Sequence, residues 1–185
     1  MSLGHVFWFF GLSGSGKTTL TTGLESSLAE TSLKVLRLDG DELRAGLCRD
    51  LGFTDEDRRE NIRRAAEMAK LAMLQGQIVV AAFITPRKGL RDLACGIIGR
   101  SNLDFVWVDA PVAVCRQRDP KGLYRQSKSG DLIGFTGVDS VFEEPAECDF
   151  RVQTDRSTLE QSFEGVRKHC IARLQARGIR PVGRK

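Results

Sequence analysis

Residues Gly11 to Thr18 read GLSGSGKT: a glycine, four residues, then glycine-lysine-threonine. Such a loop serves phosphate only where a buried strand delivers it and a helix leaves it, so the motif constrains the fold on both sides. Val6-Phe7-Trp8-Phe9-Phe10 supplies the strand, an uninterrupted apolar run rich in aromatic residues. Leu20, Leu24 and Leu28 supply the helix, recurring every four residues as an apolar stripe to lay on a sheet. Between them, Gly11, Gly14 and Gly16 let the backbone curl until successive amide N–H groups face an anion at the positive end of that helix. Lys17 then reaches the outer phosphates, and Thr18 places a hydroxyl where a nucleotide-bound magnesium ion sits.

A second strand is predicted over Leu33 to Leu38, ending in Asp39-Gly40-Asp41. Carboxylates at the carboxyl end of a strand face the crevice in which open α/β sheets bind ligands. Asp39 and Asp41 therefore belong with the phosphates, the bland alternative being that they only cap the short turn Glu42-Leu43-Arg44. Thr54-Asp55-Glu56-Asp57 opens a long helix with a capping threonine and three acids, and Gly76 ends it after about Gln75. Along it Arg58, Asn61, Ile62 and Ala65 share a face, so a cation and an amide point the same way as the apolar stripe. Arg59 and Arg63 fall on a neighbouring, solvent-facing side, with Glu60 and Arg64 spaced to pair.

Ile78 to Phe83 reads as a central parallel strand that brings Ile84-Thr85-Pro86 to the same edge, followed by a short helix through Arg91 and Leu93. Leu103 to Val108 is a fourth strand ending at Asp109, a rival to Asp39 and Asp41 for the magnesium shell. Pro111 is expected in the first turn of the next helix. From Arg116 to Gly137 the chain is basic, glycine-punctuated and without a clean period, the character of a functional lid or of a plain solvated loop. Its Arg116, Arg118, Lys121, Arg125 and Lys128, with Tyr124 and Phe135, are expected to close over phosphates and stack a base. Phe150-Arg151-Val152 reads as a last short strand. Ser157 to about Arg177 reads as a closing helix with Leu159, Phe163, Val166, Cys170 and Leu174 on one side.

No repeat or linker divides the 185 residues, so one α/β domain over residues 1–185 is expected. The net charge of +4 is mild, and the arginines and lysines near the C-terminus (Arg167, Lys168, Arg173, Arg177, Arg180, Arg184, Lys185) read as a solvated helix end rather than a nucleic-acid surface. With no apolar run of membrane length and no signal peptide, a soluble cytoplasmic protein is expected. The five cysteines are odd in number, dispersed and without a CxxC pair, so they are expected to be reduced and to hold no metal.

GLSGSGKTT, LDGDELRAGL, DLGFTDEDRRENIRR, RDPKGLY and GFTGVDS, in this order and at these separations, resemble the adenylylsulfate kinase (APS kinase) family of phosphate-loop kinases. The resemblance runs from about Val6 to Arg177. It implies a three-layer P-loop kinase fold with a mostly parallel central sheet, flanking helices and a lid over about residues 116–137. It also implies transfer of the γ-phosphoryl of ATP to the 3′-hydroxyl of adenosine 5′-phosphosulfate, with magnesium, giving 3′-phosphoadenosine 5′-phosphosulfate and ADP in sulfate activation.

By the same resemblance Gly11, Leu12, Ser13, Gly14, Ser15, Gly16, Lys17, Thr18 and Thr19 hold ATP. Arg44, Phe53, Arg58, Asn61, Ile84 and Thr85 contact adenylylsulfate, with Phe53 and Phe135 sandwiching its adenine. Asp41 takes the hydroxyl proton or joins Thr18 and Asp39 in the magnesium shell, and Lys121 sits in a lid closing over both nucleotides. A homodimer and an association with ATP sulfurylase are implied partners; nucleic acid and membrane are not.

One departure stands out. The family usually reads Ile-Ser-Pro after the third strand, its serine held to be a phosphorylated intermediate, and this chain reads Ile84-Thr85-Pro86. The extra methyl narrows the approach to the hydroxyl, so the expectation is direct in-line transfer with Thr85 positioning the substrate. Two alternatives follow from the same residues. One is a kinase for another nucleotide conjugate, favoured by the altered Thr85 region. The other is a non-catalytic nucleotide-binding partner, opposed by the complete set of Lys17, Thr18 and Asp41.

Overall fold

The computed structural model describes residues 3–128, 136, 138 and 140–183. Its centre is a five-stranded sheet in the order β2-β3-β1-β4-β5, every pairing parallel. The strands are β1 (His5–Phe10), β2 (Val35–Asp39), β3 (Ile78–Phe83), β4 (Leu103–Asp109) and β5 (Phe150–Gln153). The expected strands all form; β2 starts two residues later than expected, and Leu33 N–H is bonded instead to Thr31 Oγ1 at 3.2 Å.

The pleat sorts β1 between two cores. Phe7 and Phe9 face one side, packed with Leu20, Leu24 and Leu28 of α1 (Lys17–Ala29) and Val166, Cys170 and Leu174 of α7 (Leu159–Ala176). Trp8 and Phe10 face the other, packed with Ile62, Ala65 and Ala69 of α3 (Asp55–Leu74) and Leu90 and Ala94 of α4 (Lys88–Ile98). Alternation at period two thus commits each aromatic to one of the two helical layers. All four rings are fully buried, which makes β1 the hydrophobic spine of the molecule.

Helix boundaries follow local chemistry. Thr54 caps α3 by accepting from Asp57 N–H, and Thr158 with Gln161 forms a reciprocal capping box at α7. Gly76, at φ 79°, follows the end of α3. Asp39 caps α2 (Gly40–Ala45), so its capping role is real. Pro111 stands at the N-cap of α5 (Val112–Arg118), one position earlier than expected.

Four expectations need correction. The lid is partly regular, taking in the end of α5 and then α6 (Leu123–Lys128). Within it Tyr124 is buried and donates its hydroxyl to Ser13 carbonyl at 3.1 Å, so it braces the phosphate loop instead of stacking on a base. Leu159 is 55% exposed, outside the core stripe of α7. The basic C-terminal end is also tied down in part: Arg173 donates to Asp104 at 2.7 Å, and Arg177 to Asn102 Oδ1 at 2.8 Å.

These last contacts belong to a buried cluster at the amino ends of β1 and β4. Asp104, 2% exposed, accepts from His5 at 3.1 Å and His169 at 2.9 Å as well as from Arg173. Burial alone would raise the Asp104 pKa, but the three donors outweigh it and hold the carboxyl far below its usual range. Burial lowers the pKa of His5.

Candidate active site

The carboxyl ends of the strands open onto a cleft of about 780 Å³. At one end lies the phosphate loop. Gly11 adopts φ 149°, and a Cβ there would stand 2.2 Å from Val108 carbonyl; Gly14, at φ 78°, would meet Cys115 carbonyl at 2.9 Å. Side chains are therefore excluded at both positions. Helix α1 has no side-chain cap, so the amides of its first turn are left to the cleft.

Lys17 is buried against the loop, its ammonium donating to Gly11 carbonyl at 2.9 Å and Leu12 carbonyl at 2.7 Å. Desolvation lowers its pKa to about 8, with Lys121 adding to the depression and Cys115 and Asp39 opposing it. Thr18 donates its hydroxyl to Asp39 Oδ2 at 2.9 Å, while Asp39 Oδ1 accepts from Asp41 N–H at 3.0 Å. A hydroxyl beside a nearly buried carboxylate is a hard oxygen donor set that fits magnesium. Of the three rival aspartates, Asp39 is the one that touches Thr18. Asp109 is engaged by Arg151 at 2.7 Å.

The other end of the cleft is built by α2, α3 and the turn after β3. Arg44 lies over the Phe53 ring at 4.6 Å, and Arg58 lies 5.8 Å from the same ring. Burial lowers the pKa of each, and in Arg58 the charge of Arg44 adds to the effect. Two guanidinium groups gathered around an exposed aromatic form a seat for an anion-bearing flat ligand. Asn61 is 4% exposed, and its amide nitrogen has no hydrogen-bond partner among the described residues, although it lines this cleft. A buried amide left without a partner points to a ligand as its acceptor. Between the two ends Asp41 and Lys121 form an ion pair that joins α2 to the lid.

The cleft thus brings together Asp39, Asp41, Arg44, Phe53, Arg58, Asn61, Ile84, Thr85, Arg118 and Lys121, with Ser13 through Thr19, whereas the candidates Asp109, Arg116 and Arg125 do not line it. Gly11 and Leu12 lie beneath it. Phe135 falls outside the described residues. Sequence reasoning missed Thr154 and Ser162, which line the nucleotide end. Thr154 donates to Ser15 carbonyl at 2.8 Å and accepts from Arg118 at 3.0 Å, stitching the end of β5 to the phosphate loop. The signal was available: Thr154 immediately follows a strand, where Asp39 and Thr85 also sit.

The sequence profile of adenylylsulphate kinase matches residues 3–153. The chain belongs to the adenylylsulfate kinase family. It is 46% identical over 171 residues to an adenylyl-sulfate kinase of Yersinia pestis, covering 91% of this chain and 80% of that one. It is 43% identical over 173 residues to an adenylyl-sulfate kinase of Escherichia coli, covering 92% and 86%. Among solved structures, the Mycobacterium tuberculosis APS kinase in complex with AMPPNP and APS superposes with a TM-score of 0.86 at 38% identity, covering 95% of this chain and 99% of that chain. For a member of this family, the parallel sheet and phosphate loop are the expected frame.

Proposed function

We propose that this chain transfers the γ-phosphoryl of ATP to the 3′-hydroxyl of adenosine 5′-phosphosulfate. The observation that carries the reading is one cleft with two different ends: a phosphate loop facing a seat of Arg44, Phe53, Arg58 and Asn61, with Asp41 and Lys121 between. Transfer requires the attacking and leaving oxygens in line and the spreading negative charge met by preorganised donors. The loop amides and Lys17 hold the donor phosphates. Arg44 and Arg58 orient the phosphosulfate as forked donors, and Asn61 donates its spare N–H to the acceptor nucleotide.

Asp41 accepts the proton of the attacking hydroxyl, and Lys121 meets charge on the transferring group. Thr18 and Asp39 would hold magnesium, which when bound neutralises charge on the β- and γ-phosphates. Thr85 positions the acceptor and carries no phosphoryl group. The test is ADP release by purified protein with magnesium and ATP, comparing adenosine 5′-phosphosulfate with AMP and other nucleotide conjugates. Turnover confined to the first supports the reading, and equal turnover with AMP refutes it.

A cytoplasmic location is proposed with it, because five unpaired cysteines suit a reducing compartment. Among the described residues no helix is long and apolar enough to cross a membrane. A homodimer and a complex with ATP sulfurylase are proposed on family resemblance alone, and light scattering with and without a sulfurylase tests both.

A further inference from the structure

Thr85 is held in an expensive conformation. Its φ is 41°, a region a β-branched residue rarely enters. Two groups fasten it there. Trp8, fully buried in β1 and stacked on Phe83 at 4.8 Å, donates its indole N–H to Thr85 Oγ1 at 2.9 Å. Arg91, 7% exposed with its guanidinium 5.2 Å from the Phe10 ring, donates to Thr85 carbonyl at 3.2 Å.

An indole is a donor only, so the Thr85 hydroxyl accepts from Trp8 and keeps its own proton to donate. No acceptor for that proton is found among the described residues, and Thr85 lines the cleft. We propose that Trp8, with Arg91, is a positioning residue that fixes Thr85 as a hydrogen-bond donor to an anionic oxygen of the acceptor nucleotide. The inference rests on the proposed function.

It has a chemical corollary. The bond from Trp8 occupies one of the lone pairs that a nucleophilic hydroxyl would use, so the arrangement suits a binding hydroxyl better than an attacking one.

The experiment compares Trp8→Phe, Thr85→Val, Thr85→Ser and the double variant Trp8→Phe/Thr85→Val in steady-state kinetics with both nucleotides. Trp8→Phe should lower kcat/KM for adenosine 5′-phosphosulfate about 3- to 10-fold, leaving KM for ATP unchanged, as expected for one neutral hydrogen bond. Thr85→Val should lower it about 10- to 100-fold, because it also removes the donor to a charged group. The double variant should be no worse than Thr85→Val alone, and Thr85→Ser should restore most of the activity. In ¹⁵N spectra the Trp8 indole resonance should move when adenosine 5′-phosphosulfate is added with ADP to the wild type, and should cease to respond in Thr85→Val.

Additive losses, equal losses against both nucleotides, or an indole resonance indifferent to the acceptor nucleotide would overturn the inference while the kinase reading stood. If Trp8→Phe does not fold, Thr85→Val and the resonance decide the matter. A wild-type enzyme inert toward adenosine 5′-phosphosulfate would overturn the proposed function and this inference with it.

Discussion

Raising the pH from 7 to 9 should weaken nucleotide binding by an amount set by Lys17. Burial lowers its pKa to about 8, so it is about nine-tenths protonated at pH 7 and about one-tenth at pH 9. If only the ammonium form completes the anion cradle, affinity for ATP with magnesium falls about tenfold across that range, or about 1.4 kcal/mol. The linkage has a second face. An anion placed beside Lys17 favours its charged form, so binding at pH 9 should take up close to one proton, and binding at pH 7 about a tenth of one. Neighbouring groups do not mimic this, because burial pushes Cys115 and Tyr124 upward, out of the window. Calorimetric titration at both pH values, each in two buffers of different ionisation enthalpy, measures affinity and proton uptake together. An affinity flat to pH 9 with no buffer dependence would refute the assignment.

Lys17→Ala should lower kcat/KM at least about 100-fold without lowering the melting temperature, because it also removes a buried charge; calorimetry and kinetics on one sample check both. Asp41→Asn should cost about 10²- to 10⁴-fold in kcat, as loss of a general base does, and near-wild-type turnover would point to Asp39 instead. Asp104→Asn should destabilise the fold by about 3–5 kcal/mol, read by urea denaturation. The Asp104 pKa is held below its unfolded value, so its contribution is present above about pH 4 and lost as the pH falls further. The lowered pKa of His5 acts in the same direction below about pH 6.5, and the variant should show a flatter acid limb. Arg63→Ala should change turnover and stability little, since among the described residues Arg63 pairs only with surface acids of its own helix, Glu60 and Glu67.

What was legible in the sequence was whatever is encoded locally. Unbroken apolar runs marked β1 and β3, because a central parallel strand is covered on both faces. Thr54 and Gly76 marked α3 by capping chemistry. Candidate residues were legible where a strand's carboxyl end named them, as with Asp39 and Thr85. The failures share a cause: they concern which way a side chain turns once distant segments meet. Tyr124 looked like a base-stacking aromatic, but its ring fills space beside Cys115 and Leu12 beneath the phosphate loop, a contact no local pattern records. Asp109 looked as suited to a metal as Asp39 until β5 brought Arg151 alongside it. Trp8 read as core and nothing more, since its partner Thr85 lies 77 residues away.

Because every described strand points the same way, the sheet has two unlike rims. The carboxyl rim carries the phosphate loop, Asp39 and Thr85, while the amino rim carries the Asp104 cluster with His5, His169 and Arg173. One rim is committed to chemistry and the other to fastening α7 onto the sheet, and among the described residues the two share no side-chain partner. Changes at sites that are well separated and lack common partners combine additively. A laboratory evolving this scaffold toward a new acceptor therefore has a reserve at the far rim, where stabilising substitutions can be accumulated first and drawn down by destabilising ones around the cleft.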